Sequence, residues 1–377
     1  MKTNRFILLS AAALLVLLGF LGRGFLPGTS QSEPPVKDFA LMRTVANLIR
    51  NDYVEERDPA RTMDGAYRGL VNGLDALSGY LDRDMLAVFD ADRRGRLKET
   101  GIILYKKYNV FPQVMAVIEG SPAEKAGIKP GDTLSAFDDR STLTMSLAEA
   151  RLALKGAGDK PVQVRVIKEM ETKDIAVGRE ALFDAPVRWS EEPGGPAILT
   201  VRTVDGAADQ LRGPLANKIK AFRGPLVLDL RLASEGSLAE AIKLANVFLM
   251  TQDAGALEKR EGSRESLSCP ETPLADTAPL VVWTGPATIG AAEAAAGLLQ
   301  EAKRARVVGL ETLGLASRQT IFRLDDGSGL LLTSGFYVLP SGRKLWDKGV
   351  VPDAALDKGD RTTAAYLKTT RGLPTRP

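Results

Sequence analysis

Residues 280–319, LVVWTGPATIGAAEAAAGLLQEAKRARVVGLETLGLASRQ, contain the pattern that decides the fold. Apolar residues at 281–283 stop at Gly285-Pro286, which predicts a buried strand that ends in a sharp turn. Small residues then predict a helix over residues 288–301, and the valines at 307–308 begin a second strand. This order of strand, turn, helix, strand and loop predicts an α/β core that holds an active site.

Two positions in this stretch carry a resemblance to a known family. The stretch resembles the core of the C-terminal processing (tail-specific) peptidases, which are serine peptidases of family S41. That family has its nucleophile at the middle serine of a Ser-Ala-Ser-Ala-Ser-Glu run, and residues 288–293 read TIGAAE, so the resemblance puts Gly290 at the nucleophile position. The family's lysine ends the phrase Gly-Glu-x-Thr-Phe-Gly-Lys, and residues 309–315 read GLETLGL, which puts Leu315 at the lysine position. Gln319 matches a family glutamine beyond that lysine.

Neither position carries a side chain that the family's reaction needs. A serine hydroxyl attacks a carbonyl at neutral pH only beside a base, and a lysine serves as that base only where desolvation lowers its pKa. Glycine at 290 and leucine at 315 can do neither. The resemblance therefore implies an S41 core without an intact Ser/Lys dyad.

A third landmark lies at residues 228–236. The phrase LDLR at 228–231 resembles the Leu-Asp-Leu-Arg that in the family precedes Asn-x-Pro-Gly-Gly, a turn whose backbone N–H groups form an oxyanion hole. Here the turn reads LASEG at 232–236, so only Gly236 is retained. We expect Glu235 to place negative charge where an oxyanion would have to be stabilised.

Residues 100–167 resemble a PDZ domain, most clearly in the phrase GSPAEKAGIKPGD at 120–132. Ser121 and Ser146 are each followed three residues later by glutamate, a pattern that predicts capped helices. In PDZ domains the second of these helices and a strand preceded by a carboxylate-binding loop form a peptide groove. The resemblance implies that protein or peptide C-termini bind there, and a purely structural PDZ domain is the alternative. The predicted peptide-binding residues are Gly101, Ile102, Ile103, Leu104, Leu147 and Leu154.

The fold class that follows is α/β, with a helical N-terminal segment, a mainly β PDZ domain with two helices, and an S41 peptidase-like core of the ClpP/crotonase-like type. Within the core we expect a helix over residues 207–222, a helix from Ser237 through 250, and a loop over 252–277. The predicted domains are a signal peptide or membrane anchor (1–27), a linker (28–37), an N-terminal helical domain (38–95), the PDZ domain (96–172), the S41-like core (173–360) and a C-terminal tail (361–377).

The N-terminus predicts export or membrane attachment. Lys2 and Arg5 precede an uncharged apolar run of 17 residues at 6–22. That length favours an uncleaved anchor over a cleaved signal, and the alternative is cleavage after residues 28–30. We therefore expect a cell-envelope protein, either anchored in the inner membrane and facing the periplasm or exterior, or exported.

Composition excludes several other classes. The chain of 377 residues has 50 basic and 47 acidic residues, so its small net charge argues against a nucleic-acid surface. It contains no histidine, which excludes the Ser-His-Asp triad and the usual zinc sites. Its single cysteine, Cys269, excludes an internal disulfide. We expect no metal and no cofactor.

Three functions are compatible with these patterns. The first is a pseudopeptidase that binds peptides or proteins without cutting them, as a homo-oligomer or together with a partner peptidase. The second is an active serine-type peptidase that uses a substitute nucleophile, for which Thr288, Ser317 and Cys269 are the candidates. The third is a binder of an apolar small molecule, because glycine and leucine at 290 and 315 enlarge the site and make it more apolar.

Overall fold

The computed structural model describes residues 36–373, except for 57, 96, 169–170, 276 and 358. The chain separates into two compact units, Met1–Met63 and Asp64–Pro377. The apolar run at 6–22 lies outside the described residues. Of the helices in the described part of the chain, none has the length and apolar character needed to cross a membrane.

Helices lead into the second unit. Helix α1 (Val36–Asp52) has the predicted apolar spacing, and its side chains Phe39, Val45 and Leu48 are exposed. Helix α2 (Pro59–Asn72) runs across the boundary between the units. It is followed by a short strand, β1 (Gly79–Leu81), and by α3 (Arg83–Asp92). The strand was not predicted, because only three residues pair and its side chains are all buried, so it shows no alternation.

Residues 102–177 form a six-stranded antiparallel sheet with two short helices, which matches the predicted PDZ architecture. Both predicted caps are present, since Ser121 accepts from Glu124 N–H and Ser146 forms a capping box with Glu149. The last strand pairs along its whole length with the one before it, so the sheet continues past the predicted boundary at 172. The elements are β2 (Ile102–Tyr105), β3 (Gln113–Val117), α4 (Pro122–Lys125), β4 (Thr133–Phe137), β5 (Arg140–Ser141), α5 (Leu147–Ala153), β6 (Val162–Lys168) and β7 (Glu171–Val177).

The α/β core begins after this sheet and confirms the predicted order of strand, turn, helix and strand. Its helices and strands are β8 (Val187–Glu191), β9 (Ala197–Val201), α6 (Ala207–Arg212), α7 (Ala216–Ala221), β10 (Leu226–Asp229), α8 (Leu238–Asn246), β11 (Ala256–Glu258), a 3₁₀ turn (Arg260–Gly262), β12 (Arg264–Ser266), β13 (Leu280–Thr284), α9 (Ala291–Glu301), β14 (Arg306–Gly309), β15 (Ser317–Arg323), β16 (Gly329–Val338), β17 (Ala354–Ala355) and α10 (Thr363–Arg371).

Two sheets organise these elements. The first has the order β17-β14-β13-β10-β9-β8, parallel from β17 to β9 with β8 antiparallel at the edge. Its central strands are buried on both faces, and the alanine-rich α9 packs against α8, which the small side chains allow. The second sheet has the order β1-β16-β11-β12, with β15 also paired to β16. Because both β10 and β13 end beside the turn before α9, that turn lies at the carboxyl edge of the parallel sheet.

Three predicted boundaries in the core are wrong. The stretch 207–222 is two helices instead of one, since Gly213-Pro214 interrupts the hydrogen-bond ladder between α6 and α7. Helix α8 ends at Asn246 instead of continuing through 250. The predicted loop at 252–277 contains β11, which pairs with β16, and β12, which pairs with β11.

Candidate functional site

The turn between β13 and α9 is built by one threonine. The Thr288 hydroxyl accepts a hydrogen bond from Gly285 N–H at 2.9 Å and donates to the Leu230 carbonyl at 2.8 Å. Residue 288 therefore belongs to the turn, and α9 begins at Ala291 instead of at 288 as predicted. Gly290 is the N-cap residue and has φ +66° and ψ −113°, a backbone conformation that favours glycine.

The Glu293 carboxylate holds the predicted nucleophile and lysine positions together. It is fully buried and accepts from Gly290 N–H at 2.8 Å and from Leu315 N–H at 2.7 Å. It also accepts from the Thr312 hydroxyl at 2.5 Å and from Gly314 N–H at 2.6 Å. Burial raises the pKa of the Glu293 carboxyl, and these hydrogen bonds act in the opposite direction. This role could not be predicted from the sequence, in which Glu293 only matched the family's glutamate position.

Positions 290 and 315 are neighbours in space. A Cβ placed on Gly290 would lie 3.8 Å from the Leu315 carbonyl oxygen, and it would meet no closer atom. The Leu315 side chain is 3% exposed, so this position is dry. The structure thus brings together the two positions that the resemblance singled out. They contribute a hydrogen atom and an isobutyl group, neither of which can attack a carbonyl or accept a proton.

A chain of polar side chains continues from this point. The Ser317 hydroxyl donates to the Leu315 carbonyl at 2.9 Å and accepts from Gln319 Nε2 at 3.0 Å. Gln319 Nε2 also lies 3.2 Å from Thr333 Oγ1, which in turn donates to Asp75. Gln319 therefore positions the Ser317 hydroxyl, and the contact to Asp75 could not be predicted because the two residues are far apart in sequence.

The turn at 232–236 is fixed on two sides. Ile289 N–H donates to the Ala233 carbonyl at 3.1 Å, and Val204 N–H donates to the Glu235 carbonyl at 3.2 Å. Gly236 has φ +120°, and a Cβ there would come within 2.3 Å of the Val204 side chain. Only glycine fits at this residue, which accounts for its retention.

The Glu235 side chain does not present an unpaired charge, contrary to the expectation from sequence. Its carboxylate lies 2.8 Å from the Nζ atom of Lys155, which is two residues beyond the end of α5 in the PDZ region. Burial raises the pKa of the Glu235 carboxyl, but the charges of Lys155 and Arg202 outweigh burial and hold this pKa at about 2. Glu235 is therefore ionised. Its charge is neutralised by Lys155 of the PDZ region and Arg202 of the core.

A cavity of about 720 Å³ opens beside these turns. Gly236, Gly290, Ser317 and Gln319 line it, whereas Leu315 and Cys269 do not. Other parts of its wall come from α3, from α5 and from the segment 181–186 that joins the PDZ region to the core. The wall mixes apolar groups such as Phe89 with charged groups, which is typical of a ligand site.

Comparison with known proteins agrees with this architecture. A family model described as Peptidase family S41 matches residues 197–356, and a PDZ domain model matches residues 113–168. Over residues 197–356 the chain is therefore similar to peptidase family S41. It is 25% identical over 344 residues to a carboxy-terminal-processing protease of Bartonella bacilliformis, covering 88% of this chain and 77% of the relative.

Two further similar proteins cover most of the chain. The carboxy-terminal processing protease CtpA of Bacillus subtilis is 25% identical over 366 residues, which cover 96% of this chain and 78% of the relative. The solved structure of a photosystem II D1 C-terminal processing protease superposes with a TM-score of 0.67 and 25% identity, covering 88% of this chain and 90% of that chain. The matches include the helical segment, the PDZ domain and the S41 core.

Within the PDZ domain, several predicted peptide-binding residues face the interior. Leu104, Leu147 and Leu154 are almost fully buried in the PDZ core. Residues 147, 150 and 154 have helical spacing and therefore lie on the same side of α5 and its last turn. Ile103 packs against Ala287 of the S41 core. Gly101 has φ +89° and lies tightly against Ser121.

Part of α5 also reaches the large cavity. Leu147, Ala148, Arg151 and Leu152 line this cavity, as does Lys155 beyond the end of the helix. Of the other predicted peptide-binding residues, Gly101, Ile102, Ile103, Leu104 and Leu154 line a second, smaller cavity of about 20 Å³.

The three candidate substitute nucleophiles are all engaged. The Thr288 and Ser317 hydroxyls each donate to a backbone carbonyl, and both side chains are buried. Cys269 is fully buried, and burial raises the pKa of its thiol to about 11. A thiol held neutral in an apolar core does not act as a nucleophile at neutral pH.

Proposed function

We propose that this chain is a non-catalytic member of the S41 family that binds peptides or unfolded protein segments in the cavity between its PDZ domain and its core. The observation that carries the proposal is the pairing of Gly290 with Leu315. The two positions lie side by side as a dyad requires, yet neither offers a nucleophile or a base.

The engaged state of the other hydroxyls and of the thiol supports the same proposal. A substitute nucleophile needs an exposed oxygen or sulfur, a base within hydrogen-bond reach and room for an acyl group. Ser317 alone among the three candidates lines the cavity, and its bonding partners are a carbonyl oxygen and an amide. Neither partner accepts a proton at neutral pH.

The shape and composition of the cavity support peptide binding. It is large enough for several residues of an extended chain, and its lining combines apolar side chains with both signs of charge. The relatives are named as proteases that process carboxy termini. By that likeness we propose a chain terminus as the ligand, and a cell-envelope location in keeping with the apolar run at 6–22.

The apolar small-molecule alternative has weaker support. Charged groups at Asp92, Glu99, Arg151, Lys155 and Arg202 line the same cavity, and an apolar ligand would desolvate them without compensation. A lipid extract of the purified protein separates the two: a stoichiometric bound lipid would favour this alternative.

The direct test of the proposal uses the full chain purified in detergent. We expect no hydrolysis of an unfolded protein substrate and no labelling by a fluorophosphonate probe, together with measurable binding of the same substrate to the intact chain. Labelling at Ser317 would overturn the non-catalytic part. Absence of any binding, with the protein shown to be folded by circular dichroism, would overturn the binding part.

A further inference from the structure

Helix α1 presents an apolar face to solvent. Its large side chains are between 46% and 62% exposed at Phe39, Leu41, Val45 and Leu48. Half-buried apolar residues of the same helix add to this face: Met42, Ala46 and Ile49. Exposed apolar side chains are usually scattered singly over a protein surface, so a continuous set along one helix indicates a surface that binds something.

The apolar face of α1 is broad. At about 100° per residue, the positions 39, 41, 42, 45, 46, 48 and 49 fall within an arc of about 180°. Every residue between 39 and 50 in that arc is apolar, and the acidic residues Asp38 and Asp52 stand near the two ends of the helix. Pairing with a second helix needs only a narrow seam of two positions per heptad, whereas a face of this width fits a flat lipid surface.

Two arginines border this apolar face. Arg43 and Arg50 are exposed and lie about 20–40° beyond Phe39 around the helix, two turns apart along it. In the described part of the chain neither guanidinium is paired with an acid, and Arg50 Nε donates to the neutral Asn51 side chain at 3.4 Å. Because a guanidinium binds two oxygens of a phosphate group, cations at this border match the headgroups of anionic phospholipids.

The sequence places α1 close to the apolar run at 6–22. Only residues 23–35 separate the two. Even fully extended, these 13 residues span at most about 45 Å. A chain attached to a bilayer through residues 6–22 therefore keeps α1 at a high local concentration beside the lipid, where even a weak apolar contact is occupied.

We infer that α1 is a membrane-surface helix, which lies along a lipid bilayer with its apolar face between the acyl chains and with Arg43 and Arg50 at the phosphate groups. The inference rests on the proposed cell-envelope location, and it adds a lipid-binding site that is separate from the peptide cavity. The ligand is the interface of a bilayer that contains anionic phospholipid, and the contact holds α1 parallel to the membrane.

The test uses the full chain reconstituted in vesicles of phosphatidylethanolamine and phosphatidylglycerol that contain a doxyl-labelled lipid as quencher. The fluorophore NBD is attached to a cysteine introduced by Val45→Cys, on the apolar face, or by Asn47→Cys, on the opposite face. The native Cys269 is fully buried and stays unlabelled. We expect the lipid to quench the probe at 45 about threefold to tenfold more strongly than the probe at 47, because the apolar face of such a helix lies about 5–10 Å deep.

A pair of leucine variants assigns the contact to the apolar face, with the probe kept at residue 45. Leu41→Gln combined with Leu48→Gln should lower the quenching to the level seen at residue 47. Leu70→Gln combined with Leu74→Gln changes two leucines of similar exposure outside α1 and is the matched control, with quenching unchanged. All four side chains are exposed, so the variants should keep the fold, which circular dichroism checks.

The contribution of the arginines is measured by lipid composition. Replacing phosphatidylglycerol by phosphatidylcholine should weaken the quenching at residue 45 about threefold in the native sequence, since each cation near an anionic surface adds to the attraction. Arg43→Gln combined with Arg50→Gln should remove this dependence on lipid charge. A dependence that persists in this variant would overturn the role of the two arginines.

Flotation of the vesicles separates this inference from the proposed location. A chain that does not float with the vesicles would contradict a membrane-attached location. A chain that floats, but whose probe at 45 is quenched no more than the probe at 47, would overturn the lipid contact of α1 and leave the location in place. In that case, a disulfide between two copies of the Val45→Cys variant would identify a second copy of the chain as the group that covers the face.

Discussion

Two carboxylates of the candidate site, the buried Glu293 and the partly exposed Glu235, are held in opposite ways. Glu293 lies within one domain, and each of its oxygens accepts two hydrogen bonds from neutral donors. Glu235 faces cations contributed by both domains, and the same cluster still contains donors without partners. Both oxygens of Glu293 are fully hydrogen-bonded. The cations around Glu235 still include N–H groups without an acceptor among the described residues. The comparison teaches that the hydrogen bonds around positions 290 and 315 can be complete although neither position carries a nucleophile or a base.

The largest effect should come from breaking the complete arrangement. Glu293→Gln keeps the size of the side chain but turns an amide NH₂ toward donors that need an acceptor. Because each buried donor left unsatisfied costs about 1–3 kcal/mol, we expect a loss of more than about 4 kcal/mol in the free energy of unfolding. Urea denaturation followed by circular dichroism measures it.

A matched control for that variant lies on the same helix. Glu301→Gln changes a glutamate at the other end of α9 whose carboxylate accepts from Ser341 and lies 4.0 Å from Arg343 Nε near the surface. We expect a change below about 1 kcal/mol. Similar losses in both variants would show that Glu293 does not hold the turn at 290 and the loop at 315 together.

The next largest effect concerns the interdomain cluster. Lys155→Met removes the cation that contacts Asp92, Glu99 and Glu235 at once and leaves these acids facing one another. Removing one partner of a buried ion pair typically costs about 3–5 kcal/mol, and we expect a loss near 3 because Arg202 still balances part of the charge. Lys125→Met is the control, because Lys125 pairs with Glu180 at the surface. Equal stability of the two variants would mean that the cluster does not join the domains.

Lowering the pH should weaken the ion pairs of Glu235 over a defined pH range. The folded pKa of Glu235 is depressed from its ordinary 4.5 to about 2, so its ion pairs contribute stability above the unfolded pKa. That contribution is lost as pH falls from about 4.5 toward about 2. Thermal unfolding of the native chain and of Glu235→Gln across this range should show a steeper decline for the native chain. If the unfolding temperatures of the two proteins fall in parallel, the pKa of Glu235 is not depressed in the folded state.

Much of this contrast could not be predicted from the sequence. The order of strand, turn, helix and strand in the core and the helix caps at Ser121 and Ser146 follow from local patterns, which short-range hydrogen bonds enforce. The partners of Glu235 do not, because Lys155 and Arg202 come from other elements and no local rule relates them. For the same reason the sequence suggested a repulsive charge at residue 235, where the structure has a neutralised one. The PDZ leucines show that one residue can serve both purposes: Leu147 packs in the PDZ core and also lines the large cavity.

The smallest effect should come from restoring the dyad step by step. Gly290→Ser places a side chain at φ +66°, where the site has space, since the Leu315 carbonyl oxygen is 3.8 Å from the new Cβ, but where the backbone is strained. We expect a loss of about 1–2 kcal/mol in stability, which Gly290→Ala should match because the strain does not depend on the hydroxyl.

Chemistry should return only with a base beside that hydroxyl. The Gly290→Ser variant alone should remain unlabelled by a fluorophosphonate probe, because the neighbouring groups are carbonyl oxygens and amides that do not take its proton. Adding Leu315→Lys places an amine at a buried position, where desolvation lowers its pKa toward the range in which it can act as a base. We therefore expect slow labelling of the double variant at residue 290 and none of the single variant. Robust labelling of Gly290→Ser by itself would reveal a base that the structure does not place there. A folded double variant that stays inert would mean that the positions are adjacent but the hydroxyl and the amine point past each other.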